Sequence, residues 1–468
     1  MPAKAKSDFT SGPLFWRITV FAIPLILSAL LQIFYNMADS IVVGQFSSNP
    51  TALASVSSTT SVVNFIVNFV VGISAGAGVV IGRSIGAKDD SLTSRSVHTT
   101  FGLSVILGLA MGVLGITVSA PVLDLLGTKP ELMDGALLYF RIICVGIPFQ
   151  TVYNYCAAIQ RSAGNSKIAL YVLGFTGLIN IAFNLIFVIF FDMSVDGVAL
   201  ATVIAHILSA VLVTASLMRR TDACKLVLKK TRIEAPILKD VLRLGMPAGI
   251  SSGTFAFGNM IMTSAFNTLS TATIYAHSVV SSTDNLVATF MNAYSHATVT
   301  FASQNFGAKK HPRIVKSYVY SLIWAVSFGV IGGQLALHFS DFISSLFISS
   351  TNPLYHEVIS EASKMLAVTL NLIFFLPIMN ISSAILRSLG YSMTVMIACI
   401  CGVVGIRISW ILFFFPLERF NTGAGLLISF PLSWGVTALI LGTLAIIFLK
   451  KTRKKFDAEL KTIAGSDD

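Results

Sequence analysis

The sequence predicts an all-α membrane protein, with twelve transmembrane helices in two six-helix lobes. Three observations predict it. Hydrophobic residues make up 54% of the 468 positions and charged residues only 11%, where a water-soluble domain carries roughly 25% charge. Apolar runs of about 20 residues, long enough to cross a ~30 Å hydrocarbon core, recur from end to end. Finally, the second half of the chain repeats local patterns of the first at a nearly constant displacement.

The runs fall at 14–43, 53–80, 97–119, 136–159, 168–191 and 197–218, then at 244–268, 274–303, 317–338, 361–386, 393–415 and 423–449. Lipid offers the backbone no hydrogen-bond partners, so each is expected to be helical. This divides the chain into an N-lobe (1–218), a charged connecting segment (219–243), a C-lobe (244–450) and a short, frayed polar tail (451–468). The connection is expected to be aqueous and partly an amphipathic surface helix. The first run is too long, and lacks the cleavage site, for a signal peptide.

Four markers carry the repeat. Pro24 with Asn36-Met37 returns as Pro247 with Asn259-Met260, and Gly86-Ala87-Lys88 as Gly307-Ala308-Lys309. Arg161-Ser162-x-Gly164-x-Ser166 returns as Arg387-Ser388-x-Gly390-x-Ser392, and Gly197 as Gly423. Six spans per unit is an even number, so both halves enter and leave on one side. The lobes are then related by a pseudo-two-fold axis along the membrane normal, an architecture found mainly in transporters.

The net charge of +11 follows topology rather than a nucleic-acid partner. Starting from an inside N-terminus, Lys4, Lys6, Arg17, Arg83, Lys88, Arg161, Lys309, Arg313 and Arg387 lie on the inner face, as do the basic residues of the connection and tail. Only Lys129, Arg141, Lys364 and Arg419 fall outside. That asymmetry places both termini in the cytoplasm. The five cysteines are scattered and support neither a disulfide framework nor a zinc site. No phosphate-binding loop is present, so energy is expected from an ion gradient or from the substrate. No nucleophile–base or metal cluster suggests an enzyme.

Ionised groups are costly at mid-bilayer, so each is a functional candidate. Asp39 in the first span has Tyr35 and Asn36 four and three residues before it, on one helical face. Burial favours the protonated carboxyl and neighbouring donors the charged one, a balance suited to carrying a proton. The bland alternative is a carboxylate bridging packed helices. Asn180 and Asn184 form an i, i+4 polar stripe on the fifth span, and Thr202 follows a small-residue run on the sixth; interhelical hydrogen bonding alone would also explain the Asn pair. Asp284 in the eighth span either lines a cavity that attracts a cation or anchors helix packing. Arg407, the one mid-span cation, either pairs with Asp284 or meets an anionic group. Asn259, Met260 and Met291, with Phe255, Phe257, Met262 and Phe266, form either an adaptable cavity wall or a lipid-facing surface. His206, His277 and His296 read as packed or cavity side chains. Arg161 and Arg387 read as interface anchors or inner-gate contacts.

The chain resembles the multidrug and toxin extrusion (MATE) transporters over residues 14–450. The resemblance rests on Pro24 to Gly44, Gly82 to Ala87 with Gln304 to Ala308, Gln160 to Gly164, and Asn180 to Ala205. It implies two lobes forming a V, a central cavity, and ion-coupled antiport of small organic, often cationic compounds by a monomer in the cytoplasmic membrane. In the DinF-like branch, the most similar, an N-lobe cluster holds the coupling ion. Its pattern falls on Tyr35, Asp39, Asn180, Asn184 and Thr202, with Asn184 where that branch usually has Asp. Acidic residues that other branches carry in the seventh and tenth helices are missing here. The resemblance therefore implies no cofactor beyond the coupling ion, with H+ preferred over Na+ because Asp39 is the single carboxylate. Two rivals are a lipid-linked saccharide flippase of the same superfamily, which would need more cavity cations than Arg407, and a non-transporting scaffold or sensor.

Overall fold

A computed structural model describes residues 8–47 and 49–464; Lys4 and Lys6 lie outside them. Each of the twelve expected spans lies on a helix. We number the helices α1 (Leu14–Phe46), α2 (Ala52–Gly86), α3 (Asp90–Thr117), α4 (Pro130–Ser162), α5 (Lys167–Phe190) and α6 (Val195–Met218). The second series is α7 (Ala235–Phe266), α8 (Thr271–Gly307), α9 (His311–His338), the bent pair Tyr355–Leu370 and Phe375–Ser388 as α10, α11 (Ser392–Phe414) and α12 (Ser429–Ala464).

Among the described residues, 9 helices are individually long and apolar enough to cross a membrane, and 10 if the α10 pair, bent by 44°, is one span. The helices α7 and α8 fall short of that hydropathy because Ser, Thr and Asn interrupt their apolar runs. Large apolar side chains lie bare on the helix exteriors: Phe190, Leu178 and Leu439 are 80%, 71% and 73% exposed. That surface suits lipid rather than water, and the chain is a multi-pass membrane protein.

Two of the repeated markers prove to be helix stops. Ala87-Lys88 and Ala308-Lys309 close α2 and α8 with the same bonds: the Ala N–H returns to the carbonyl of Arg83 or Gln304, and the Lys N–H to that of Ile85 or Phe306. Lys88 and Lys309 adopt left-handed φ values of 57° and 54°. Gly164 and Gly390, at φ 81° and 99°, end α4 and α10; there the next residue's N–H reaches back to Gln160 or Leu386. Left-handed backbone costs a residue with a Cβ and glycine nothing. The marker arginines therefore sit in the last turn of a helix. Arg387 donates from Nη2 to Ser251 Oγ at 3.3 Å.

The chain divides into two compact units: residues 23–249, and Phe9–Ala22 together with residues from Ile250 onward. These limits differ from the boundaries drawn at 218 and 244. The first turns of α1 are built into the second unit, and residues 235–249 of α7 into the first. The connecting segment is correspondingly packed rather than free. Cys224 and Leu226 are buried among Ile81, Val97 and Cys156, and Ile237 and Val241 among Val70, Ile73 and Tyr155. It holds a short 3-10 turn, Leu228–Lys230, and then the first turns of α7, from Ala235, which bury Ile237 and Val241 and expose Lys239, Asp240 and Arg243 as the expected amphipathic helix would.

In the first unit, α2 and α7 meet backbone to backbone. A Cβ on Gly76 would stand 2.4 Å from the Gly245 nitrogen, and one on Gly72 2.6 Å from the Ala248 oxygen. In the second unit, Phe9 is wedged between Phe301 and Phe21, with ring centroids 4.0 and 5.5 Å away. Its N–H donates to Gln304 Oε1 at 3.0 Å, and its carbonyl accepts from Asn305 Nδ2 at 3.2 Å and Arg313 Nη2 at 3.1 Å. The polar tail is ordered helix as far as Ala464. Phe456 is buried beside Phe306, and Glu459 pairs with Lys309 at 2.6 Å. An apolar anchor one turn before that ion pair explains why it does not fray; residues 465–468 lie outside the described residues.

Candidate functional site

In the first unit, three helices converge on one carboxylate. Asp39 of α1 accepts at Oδ1 from Asn184 Nδ2 of α5 at 2.5 Å, and the same amide nitrogen donates to Asn180 Oδ1 at 3.0 Å. Asn180 Nδ2 continues the chain to Thr202 Oγ1 of α6 at 3.4 Å, and Thr202 donates to the Val198 carbonyl at 2.9 Å. Asn180 and Asn184 are both fully buried. The i, i+4 spacing on α5 puts both amides on the face turned to α1 and α6. Just beyond Asn184, α5 widens into a π turn, Ile186–Phe190, a distortion frequent at functional sites.

Tyr35 and Thr202 also interact with one another, and Thr202 with Asp39. Tyr35 lines a cavity of about 80 Å³ together with Gln32, Asn154, Thr176, His206 and Ser209. Asn36 is not in the cluster: its side chain is exposed, and its carbonyl accepts from Ser40 Oγ at 3.2 Å. Three residues back from Asp39 is far enough round the helix to turn away, whereas Tyr35, four back, lies nearly beneath it. One participant escaped the sequence. Tyr139 of α4 interacts electrostatically with both Asp39 and Tyr35. A tyrosine near the start of a span reads as an ordinary interfacial aromatic, so no sequence signal set it apart.

The second unit holds a cavity of about 150 Å³. Arg407 of α11 lines it, 2% exposed, donating from Nη1 to Asn259 Oδ1 at 2.8 Å and from Nε to Ser433 Oγ at 3.4 Å. Its guanidinium carbon lies 4.0 Å from the Phe430 ring centroid. Asp284 lines the same cavity and accepts from Thr369 Oγ1 at 3.1 Å. Arg407 and Asp284 form no ion pair; both are tethered by neutral groups instead. Phe255, His277 and Trp434 also line the cavity, and His277 stacks on Phe266 at 3.8 Å.

Two residues expected in this wall are elsewhere. Met291 is fully buried against Gly329, filling the close approach that glycine allows between α8 and α9. Met260 is half-buried and outside the cavity lining, one residue past Asn259 and so rotated about 100° around α7. Met262 is likewise core, accepting from Ser429 Oγ at 3.7 Å, and Phe257 is exposed. Ser433, Phe430 and Thr369, which hold the two charges, had no sequence signal because each looks ordinary in an apolar run.

Comparison with known proteins agrees with the fold and its duplication. The family model MatE matches residues 24–186 and 247–412, the two repeats in turn. The chain is 26% identical over 455 residues to the probable multidrug resistance protein YoeA of Bacillus subtilis, covering 94% of this chain and 96% of that one. It is 24% identical over 258 residues to the multidrug export protein MepA of Staphylococcus aureus, covering 54% and 56%. Two solved structures share its fold at 20% identity. One, of a MATE protein in complex with MaL6, has a TM-score of 0.89 and covers 96% of this chain and 100% of that one. The other, the outward-facing conformation of a multidrug resistance MATE family transporter of the MOP superfamily, has a TM-score of 0.88 and covers 96% and 99%.

Proposed function

Because the chain belongs to the MatE family, whose members are transporters and not enzymes, we propose that it exports small organic, often cationic compounds by antiport with H+ through alternating access. The names of its relatives, a multidrug resistance protein and a multidrug export protein, support the substrate class. The excess of inner-face Lys and Arg supports cytoplasmic termini in the cell membrane. In this reading the exporter acts as a monomer.

One observation carries the coupling assignment: Asp39 is an acid on an apolar helix whose hydrogen-bond partners are a neutral amide, Asn184, and a hydroxyl, Thr202. No basic group of the described residues pairs with it. Its charge is therefore not permanently cancelled and follows the proton supply. Substrate enters from the inside while Asp39 is ionised, and a proton taken from outside accompanies the return. Protonation removes the charge that Asn184 and Thr202 hold in place. This frees α1 to shift, with Pro24 as the bend point; Ser28 already bonds the Pro24 carbonyl at 2.6 Å.

Asn184 turns its NH2 group, not its oxygen, toward Asp39 and Asn180. Asp39 is the one carboxylate of this cluster, which supports H+ over Na+, since a sodium ion prefers several oxygen ligands. The deciding experiment is dye uptake into inside-out vesicles under an imposed pH difference, or an imposed Na+ gradient, at fixed membrane potential. Uptake driven by the pH difference is the expected result; uptake driven by Na+ alone would overturn the ion assignment.

A further inference from the structure

We infer that the cavity of the second unit binds zwitterionic aromatic compounds, with Arg407 taking a carboxylate and Asp284 a substrate ammonium. The inference rests on the transport reading for its consequence, though not for the binding itself. It starts from an economy the sequence violates. A buried guanidinium in a membrane helix is costly, and one without an acidic partner more so. Asn259 and Ser433 engage Nη1 and Nε and leave Nη2 unengaged. The Phe430 ring beneath the guanidinium fixes its plane. A flat fork held in this way, with donors to spare, is the geometry that recognises a carboxylate.

The second charge makes the case specific. Asp284 faces the same space, yet Thr369 holds it and it forms no ion pair with Arg407. In a medium of low dielectric, opposite charges on free side chains attract strongly. Here each is tied back to its own wall, so the attraction is left for a ligand that presents the complementary charge at either end. Phe255, His277, Phe430 and Trp434 line the same cavity, flat groups on which an aromatic scaffold stacks. The backbone is distorted at the same place. Arg407 occupies a single α-helical turn, Ile406–Ser409, with π turns on both sides at Ile400–Gly405 and Trp410–Phe414. Such widened turns re-aim side chains and recur at functional sites.

The test compares two dyes that differ in one group, a rhodamine bearing a free benzoic acid and its methyl ester, by fluorescence polarisation with the purified full chain. The wild-type protein is expected to bind the acid about tenfold or more tightly than the ester, the worth of a charge-assisted hydrogen bond. Arg407→Gln should erase that preference, Arg407→Lys should restore part of it, and Asp284→Asn should weaken both dyes. Equal binding of the two dyes by the wild type, or a preference for the ester, would overturn the inference without any variant having to fold. A preference that survives in Arg407→Gln would do the same. If wild-type vesicles move neither dye under any gradient while the binding preference holds, the transport reading fails and this one stands.

Discussion

Asn184 donates to Asp39 across 145 positions of sequence, at 2.5 Å, and spends the same nitrogen on Asn180 at 3.0 Å. Its own oxygen is buried and has no partner. An amide left half-satisfied beside an acid has a second use. If Asp39 gains a proton, its O–H becomes a donor and that oxygen, after a flip of the amide, becomes its acceptor. Protonation of Asp39 therefore breaks the present Asn180–Asn184–Asp39 chain of bonds and rearranges the contact between α1 and α5.

The first prediction follows from this pairing. Asp39→Asn keeps the size and hydrogen-bonding capacity of the site but cannot carry a proton, so it should express and melt like the wild type yet lose efflux driven by a pH difference. Asn184→Ala removes the donor and should reduce transport by about tenfold, the value of a lost bond to a charged group. Vesicle dye flux reads both variants. Unchanged flux in Asp39→Asn would remove this residue from the mechanism.

A second prediction concerns the α2–α7 crossing. A methyl group at Gly76 would lie 2.4 Å from a backbone nitrogen that no rotamer change can move. Gly76→Ala should destabilise the protein by about 1–3 kcal/mol, as overpacking does, and lower its melting temperature in detergent. A melting temperature equal to that of the wild type would show that the helices separate freely at this point.

Phe9 supplies a third. It is 4% exposed and stacks on Phe301, so Phe9→Ala should cost about 3–5 kcal/mol, the range for emptying a buried aromatic site. Phe9→Leu should recover much of the loss. Thermal melting of the three proteins orders them; indistinguishable curves would mean the ring contributes nothing to the second unit.

The fourth is a pH dependence outside the membrane. Burial alone would raise the Asp222 carboxyl, but hydrogen bonds and charge from Arg220 outweigh it and hold the carboxyl below its ordinary value. Arg220 in turn donates to Gln160 Oε1 at 2.8 Å, tying the connection to the end of α4. A carboxyl with a lowered folded-state pKa stabilises fully above its unfolded value, about 3.9, and that contribution disappears as pH falls through the folded value. Since Asp222 is 46% exposed, the pair is worth only about 0.2–1 kcal/mol. Asp222→Asn should therefore melt slightly lower than the wild type at pH 7, with the gap closing under acid. A gap that widens below pH 4 would refute the assignment.

Much of the architecture was legible because it depends on local rules. The apolar runs fell on helices, although α7 and α8 are less apolar than the others, and the repeated Gly-Ala-Lys and Arg-Ser-x-Gly motifs proved to lie at left-handed helix stops. The site was legible in part. Asp39, Tyr35, Asn180, Asn184 and Thr202 come together, while Asn36 turns outward. In the second unit Arg407, Asn259 and Asp284 do share one cavity, and Met291 and Met260 do not. A side chain's helical face can be read from periodicity to within a residue or so, and Asn36 and Met260 fall inside that margin. Tyr139, Ser433 and Thr369 lay beyond it, since nothing about a lone tyrosine or hydroxyl residue in a span marks which charge it will touch.

From the order of its residues alone this chain was committed to be helical, membrane-embedded and duplicated, with a single acid in its first span. These traits depend on transfer free energy and on bonds between residues four apart, which need no distant partner. Tertiary structure alone decided that Asp39 lies against amides rather than an arginine, and that Arg407 and Asp284 are held apart. It also decided that the first turns of α1 and α7 are built into units other than those holding the rest of each helix. Such outcomes depend on which faces of separate helices meet, and packing is settled by the shape and volume of all the neighbours at once.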